Sequence, residues 1–158
     1  MFLTKLEALA SSSVRAAEKA AAKLIIVFTD TGLTSALVAK YRPSVPILTL
    51  VIPRLVNDNL EWKIVGRHVA RQCLLTRGLV PMLAAPSPDG EQVLRDAVQA
   101  ATSRKLLGPG DHAVCVEKIS GDYCIKMVSM DATGLSVQDA SQVPHSSPLT
   151  RTSTSLRR

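Results

Sequence analysis

KLIIVFTDTGLTSALVAKYRP, residues 23–43, is the stretch whose reading decides the fold. Leu24 to Phe28 is an unbroken apolar run rich in β-branched residues, the composition of a strand buried on both faces. Thr29-Asp30-Thr31-Gly32 then reads as a tight polar turn, and Thr34 as the cap of a helix that carries Leu37, Val38 and Tyr41. Arg42-Pro43 closes that helix, because the residue before a proline is pushed out of the α region. Strand, turn and helix in this order present free backbone N–H groups at the strand's carboxyl end. Open α/β sheets bind anions and other ligands at that end.

Downstream, Pro46 leads into a second strand, Ile47 to Ile52, and Pro53 to Lys63 reads as a polar loop holding Asn57, Asp58, Asn59 and Trp62. The next helix is expected to bury Val65, Val69, Cys73 and Leu74 and to end at Gly78, before a third strand from Leu79 to Ala84. Ser87-Pro88-Asp89 supplies a capping side chain and a first-turn proline for a helix with the stripe Val93, Leu94, Ala97, Val98 and Ala101. Leu107 to Asp111 turns the chain into a fourth strand, Ala113 to Ile119. Gly121-Asp122 is read as a two-residue hairpin into a fifth strand, Tyr123 to Met130, which places Cys124 opposite Ile119. So short a connection can join only antiparallel neighbours.

Upstream, apolar and small residues from Leu6 through Val14 and Ala17 to Ala21 recur at helical spacing, so residues 4–22 read as a helix with a small-residue face. From Ala132 the character changes: Ser, Thr, Gln, Pro and Arg dominate and no period is visible. Such a segment buries too little to offset its ordering entropy. The organisation expected is thus a domain over residues 1–131 and a disordered, basic, Ser/Thr-rich tail over residues 132–158.

With 158 residues and a hydrophobic fraction of 46%, the chain can build one real core, but aromatics make up only 3%, so Leu, Val, Ile and Ala must fill it. The net charge of +6 is dispersed along the chain and lacks interleaved aromatics, which argues against nucleic acid as a partner. No apolar run approaches the roughly 18 residues that span a bilayer. Cys73, Cys115 and Cys124 form no C-x-x-C pair and are odd in number, so they suggest reduced thiols in the cytoplasm and no disulfide framework or zinc site. The sequence contains no G-x-x-x-x-G-K-[ST], G-x-G-x-x-G or G-x-S-x-G. His68, His112 and His145 have no partners at metal-ligand spacing. No catalytic and no metal-binding residue is expected in this chain.

Several of these motifs have a family likeness. TDTGLTSALVAKYRPSVPILTL, residues 29–50, resembles the opening of the C-terminal domain of pyruvate kinase, which runs T-x-[ST]-G-x-[ST], then A-x-x-V-A-[KR]-Y-R-P and a strand. Ala70-Arg71 and Thr76-Arg77-Gly78-Leu79-Val80-Pro81-Met82-Leu83 resemble that domain's A-R and Y-R-G-[IL]-x-P-[ML]-L, with Thr76 in place of the usual tyrosine. Glu7 to Ala17 is similar to its first helix, and Leu107 to Asp111 to the turn before its fourth strand. The Trp-containing loop before Lys63 is closer to plant cytosolic members than to animal ones.

The resemblance covers residues 5–131 and implies a three-layer α/β/α domain with a five-stranded, mostly parallel sheet, order 3-2-1-4-5, the last strand antiparallel. It implies the C-terminal domain of an enzyme that moves a phosphoryl group from phosphoenolpyruvate to ADP. Catalysis, with Mg²⁺ and K⁺, belongs in that family to a barrel that this chain lacks, so no cofactor is expected here. In many members the loop matching Thr29, Thr31, Gly32 and Thr34 holds a phosphate of a sugar bisphosphate effector. Asp30 departs from that pattern, and a second effector loop is reduced here to Gly121-Asp122, so the turn is either an effector-site remnant or a well-capped solvated turn. The strand carrying Tyr123, Ile125, Met127 and Val128 matches one that pairs with its two-fold mate between subunits, which makes a second copy, or a full-length pyruvate kinase subunit, the expected partner. Two other classes stand beside this reading: an interaction module that docks on intact pyruvate kinase, and a small-anion-binding α/β protein.

Overall fold

Strand β1, Leu24–Thr29, lies at the centre of the molecule, with parallel neighbours on both sides. The computed structural model describes residues 2–58, 61–85, 87, 89–119, 121–131 and 137–139. Beside β1 run β2, Ile47–Val51, and then β5, Leu79–Leu83; on the other side runs β6, His112–Ile119. All of these are parallel, as apolar runs buried on both faces require. β7, Asp122–Met130, returns antiparallel to β6. The order β5-β2-β1-β6-β7 is the five-stranded topology expected, with the antiparallel strand last.

The residues of each strand alternate between two cores. Leu24, Ile26, Leu48, Leu50, Cys115 and Val128 pack with Val93, Leu94, Ala97, Val98 and Ala101 of helix α4, Gly90–Ser103. Ile25, Val27, Ile47, Val51, Val114 and Val116 pack on the opposite face, against helices α1, Phe2–Lys19, α2, Leu33–Lys40, and α3, Arg67–Cys73. The small-residue face of α1 explains its close approach: Ala10, Ser13 and Ala17 are buried, and Ser13 donates its hydroxyl to the Ala10 carbonyl at 2.8 Å.

Five local expectations need correction. Thr34 does not cap α2; Gly32 is the N-cap residue, and the turn is tied by Thr29 instead. For α4 the cap is Asp89, which accepts from the Glu91 N–H at 3.0 Å, so the helix begins only at Gly90, after position 88. Val65 and Leu74 do not share the buried face of α3: Val65 ends a strand, and Leu74 is 66% exposed past the helix end. The loop expected before Lys63 is a β-hairpin of its own, β3 (Arg54–Asp58) paired antiparallel with β4 (Glu61–Val65). The signal for it was present, since Leu55-Val56 and Trp62 with Ile64-Val65 flank Asp58 and Asn59, residue types that favour turns.

The fifth correction concerns the β6–β7 turn. Ile119 pairs with Asp122, so Asp122 belongs to the ladder and not to the turn, and Cys124 lies opposite Glu117, not Ile119. Gly121, at φ +100°, takes the left-handed position such turns need. The two registers differ by an even number of positions, so every side chain keeps its face and only its neighbours change. Cys115 faces Lys126, and all three cysteines are free.

The tail expected from residue 132 lies largely outside the described residues. Within it, Val137–Asp139 depart from the expectation and form a strand, β8, antiparallel to β7, with Met130 opposite Val137 and Val128 opposite Asp139.

Candidate functional site

At the carboxyl end of β1 the chain must leave a buried strand and enter α2 within three residues, and the turn is built for that. Thr29 is almost fully buried, and its Oγ1 accepts the Gly32 N–H at 2.9 Å. Gly32 sits at φ +82°, and a Cβ there would meet Cys73 Sγ at 3.1 Å and Val69 Cγ1 at 3.4 Å. Glycine is therefore required twice, by backbone conformation and by space.

The hydroxyls expected to form one anion-binding cluster are separated by the fold. Thr29 is committed to the turn, and Thr34 is buried in the first turn of α2. Thr31 is exposed and borders a groove of about 430 Å³ between α2 and α3. Asp30 forms an ion pair with Arg54 at the start of the β3–β4 hairpin. The charge at this turn is thus a carboxylate with its own counter-ion, a partner the sequence pattern did not reveal.

A second cleft, of about 450 Å³, opens beside the turn, where Thr29 and Asp30 face Gly90 at the start of α4 and Glu117 and Lys118 at the end of β6. Lys118 leans over the Tyr123 ring at 5.6 Å. Near Asp30 the cleft therefore offers charges of both signs, without a clear cationic surplus. Among the described residues no group of three or more His, Cys, Asp or Glu side chains is placed to hold a metal ion. Burial pushes the Cys115 thiol up, with the Glu117 carboxylate adding to it, and burial likewise raises Cys73 and Cys124. None of the three is an activated nucleophile.

The residues expected at an interface lie on β7. Met130 donates its N–H to the Asp111 carbonyl at 2.9 Å, so by alternation the amides of Tyr123, Ile125, Met127 and Ser129 point away from β6. Tyr123 and Met127 are 39% and 42% exposed, and Ile125 packs partly on the α1 side of the sheet. Val128 is different: its side chain is fully buried in the α4 core, so it has no side-chain surface to give an interface.

Residues 7–123 match the family model described as "Pyruvate kinase, alpha/beta domain". The chain is 45% identical over 131 residues to the cytosolic pyruvate kinase isozymes of Solanum tuberosum and Glycine max, covering 79% of this chain and 26% of each. Cytosolic pyruvate kinase 2 of Oryza sativa is 40% identical over 136 residues, 82% of this chain and 26% of that protein. A crystal structure of a pyruvate kinase from Cryptosporidium parvum aligns with TM-score 0.64 at 30% identity, over 77% of this chain and 22% of that one. The chain spans about a quarter of the length of these curated relatives.

Proposed function

Because the chain belongs to the pyruvate kinase alpha/beta domain family, we propose that it serves subunit assembly and regulation in a cytosolic enzyme of that kind and performs no catalysis by itself. The parent reaction is phosphoryl transfer from phosphoenolpyruvate to ADP, with Mg²⁺ and K⁺ held outside this domain. A cytoplasmic location is supported by the relatives, which are named cytosolic. The observation that carries the reading is the outer edge of β7. Its outward amides, with Tyr123 and Met127 exposed beside them, form an apolar strand edge suited to an isologous antiparallel contact.

The test is capture by a tagged full-length cytosolic pyruvate kinase subunit. Met127→Pro deletes one outward amide at an edge position where proline is tolerated in the free domain. Capture of the unaltered chain, lost in Met127→Pro, is the expected result, with no turnover by the chain alone in a coupled assay. Failure of capture at high micromolar concentration, or turnover above a mock purification, overturns the reading.

A second reading, binding of a small phosphorylated ligand at the Thr29–Thr34 turn, is supported by Thr31 and the start of α2 and opposed by Asp30. The Asp30–Arg54 pair favours the first reading: an arginine stands at the turn, but its charge is already engaged by Asp30.

A further inference from the structure

We propose that Val137–Asp139 is an intrachain cap that competes with a second chain's β7 for the outer edge of β7; this rests on the assembly reading above. β7 has nine residues, Asp122–Met130, and β8 occupies the edge along Val128, Ser129 and Met130. Nine less three leaves six positions, residues 122–127, for any other strand. A two-fold antiparallel mate that used all of β7 would place residue 122 of one chain opposite residue 130 of the other. Its ladder would therefore need the very positions that β8 fills. With β8 in place the longest symmetric ladder shrinks to five residues, 122–126 or 123–127, because outward-facing residues can pair only with outward-facing ones.

The pairing geometry identifies the amide that matters. Ser129 has its N–H and C=O directed outward, by the same alternation that turns Met130 towards Asp111. Gln138 lies directly opposite Ser129 and so forms the hydrogen-bonded pair of the β7–β8 ladder. Met130 with Val137, and Val128 with Asp139, are the flanking pairs without such bonds. The cap thus depends on one central pair in a strand of three residues. A three-residue strand is marginal by itself, whereas a mate strand offers a longer ladder. The cap is therefore strong enough to shield the edge at low concentration and weak enough to be displaced by a partner.

The experiment uses the full chain and Gln138→Pro, which removes the β8 donor opposite Ser129 and leaves the sequence of β7 unaltered. Sedimentation across a concentration series should show Gln138→Pro self-associating at least about tenfold more tightly than the unaltered chain, which corresponds to roughly one net hydrogen bond's worth of competition. Adding Met127→Pro to Gln138→Pro should abolish the gain. Hydrogen exchange supplies an independent readout, since the Ser129 amide should lose protection in monomeric Gln138→Pro. Equal self-association of the unaltered chain and Gln138→Pro, abolished in both by Met127→Pro, overturns the cap and leaves the edge contact standing. A Gln138→Pro chain with an unprotected Ser129 amide that stays monomeric at high micromolar concentration overturns both the cap and the assembly reading beneath it.

Discussion

Two residues show how the fold handles polarity in a chain with so few aromatics. Thr49 lies in the centre of β2, fully buried, and its Oγ1 has no hydrogen-bond partner among the described residues. A buried hydroxyl without a partner costs about 1–3 kcal/mol. Thr49→Val keeps the shape and removes the group, so it should stabilise the domain by about 1 kcal/mol, read as a higher denaturant midpoint at unchanged slope. Asp30 is the other. Its carboxylate is paired with Arg54, both at the surface, so the pair contributes little to stability and much to the local field. The unaltered chain is expected to bind a sugar bisphosphate weakly or not at all. Asp30→Lys changes the turn by two unit charges, each worth about 0.7 kcal/mol at about 6 Å in water. Affinity should then rise about tenfold by calorimetry, and micromolar binding to the unaltered chain would show that Asp30 is no barrier.

At the scale of elements, helix ends and strand edges are the informative places. Helix α1 ends with the Ala22 N–H on the Ala17 carbonyl at 2.9 Å and the Ala21 N–H on Glu18 at 3.2 Å, with Ala21 at φ +49°. The last turn of α4 does the same: Leu106 donates to Ala101, Lys105 to Thr102, and Lys105 sits at φ +60°. Glycine is the usual residue at this position, because a Cβ in the left-handed region costs about 1–2 kcal/mol. Ala21→Gly should therefore raise the melting temperature, with a gain of about 1 kcal/mol, less what glycine's greater freedom in the unfolded chain takes back. A lower melting temperature would mean that the Ala21 methyl packs well enough to outweigh its backbone strain. Arg42, at φ +48°, also leaves the right-handed α region just before Pro43, but into the left-handed region and not the extended one.

Across the whole molecule, the central sheet separates two cores of nearly equal weight, and the sequence by itself determined that much. Continuous apolar runs such as Leu24–Phe28 and Ile47–Ile52 demand cover on both faces, and strands alternating with helices demand parallel crossovers. The antiparallel fifth strand was legible for the same kind of reason, since a two-residue connection permits nothing else. The order of strand, polar turn and helix over residues 24–41 placed the turn at the carboxyl end of β1, where open α/β sheets are expected to bind ligands. What only the tertiary structure decided were matters of neighbourhood. Whether Thr29, Thr31 and Thr34 act together depends on which hydroxyls the turn consumes, and the fold consumes Thr29 and buries Thr34. Arg54 reaches Asp30 only because β3 and β4 form a hairpin beside β1's end, a contact between residues 24 positions apart that no local pattern encodes. Val137–Asp139 is too short to carry a period, and its strand character comes from the open edge of β7 beside it: unpaired amides on one strand supply the hydrogen bonds that a three-residue segment cannot organise for itself.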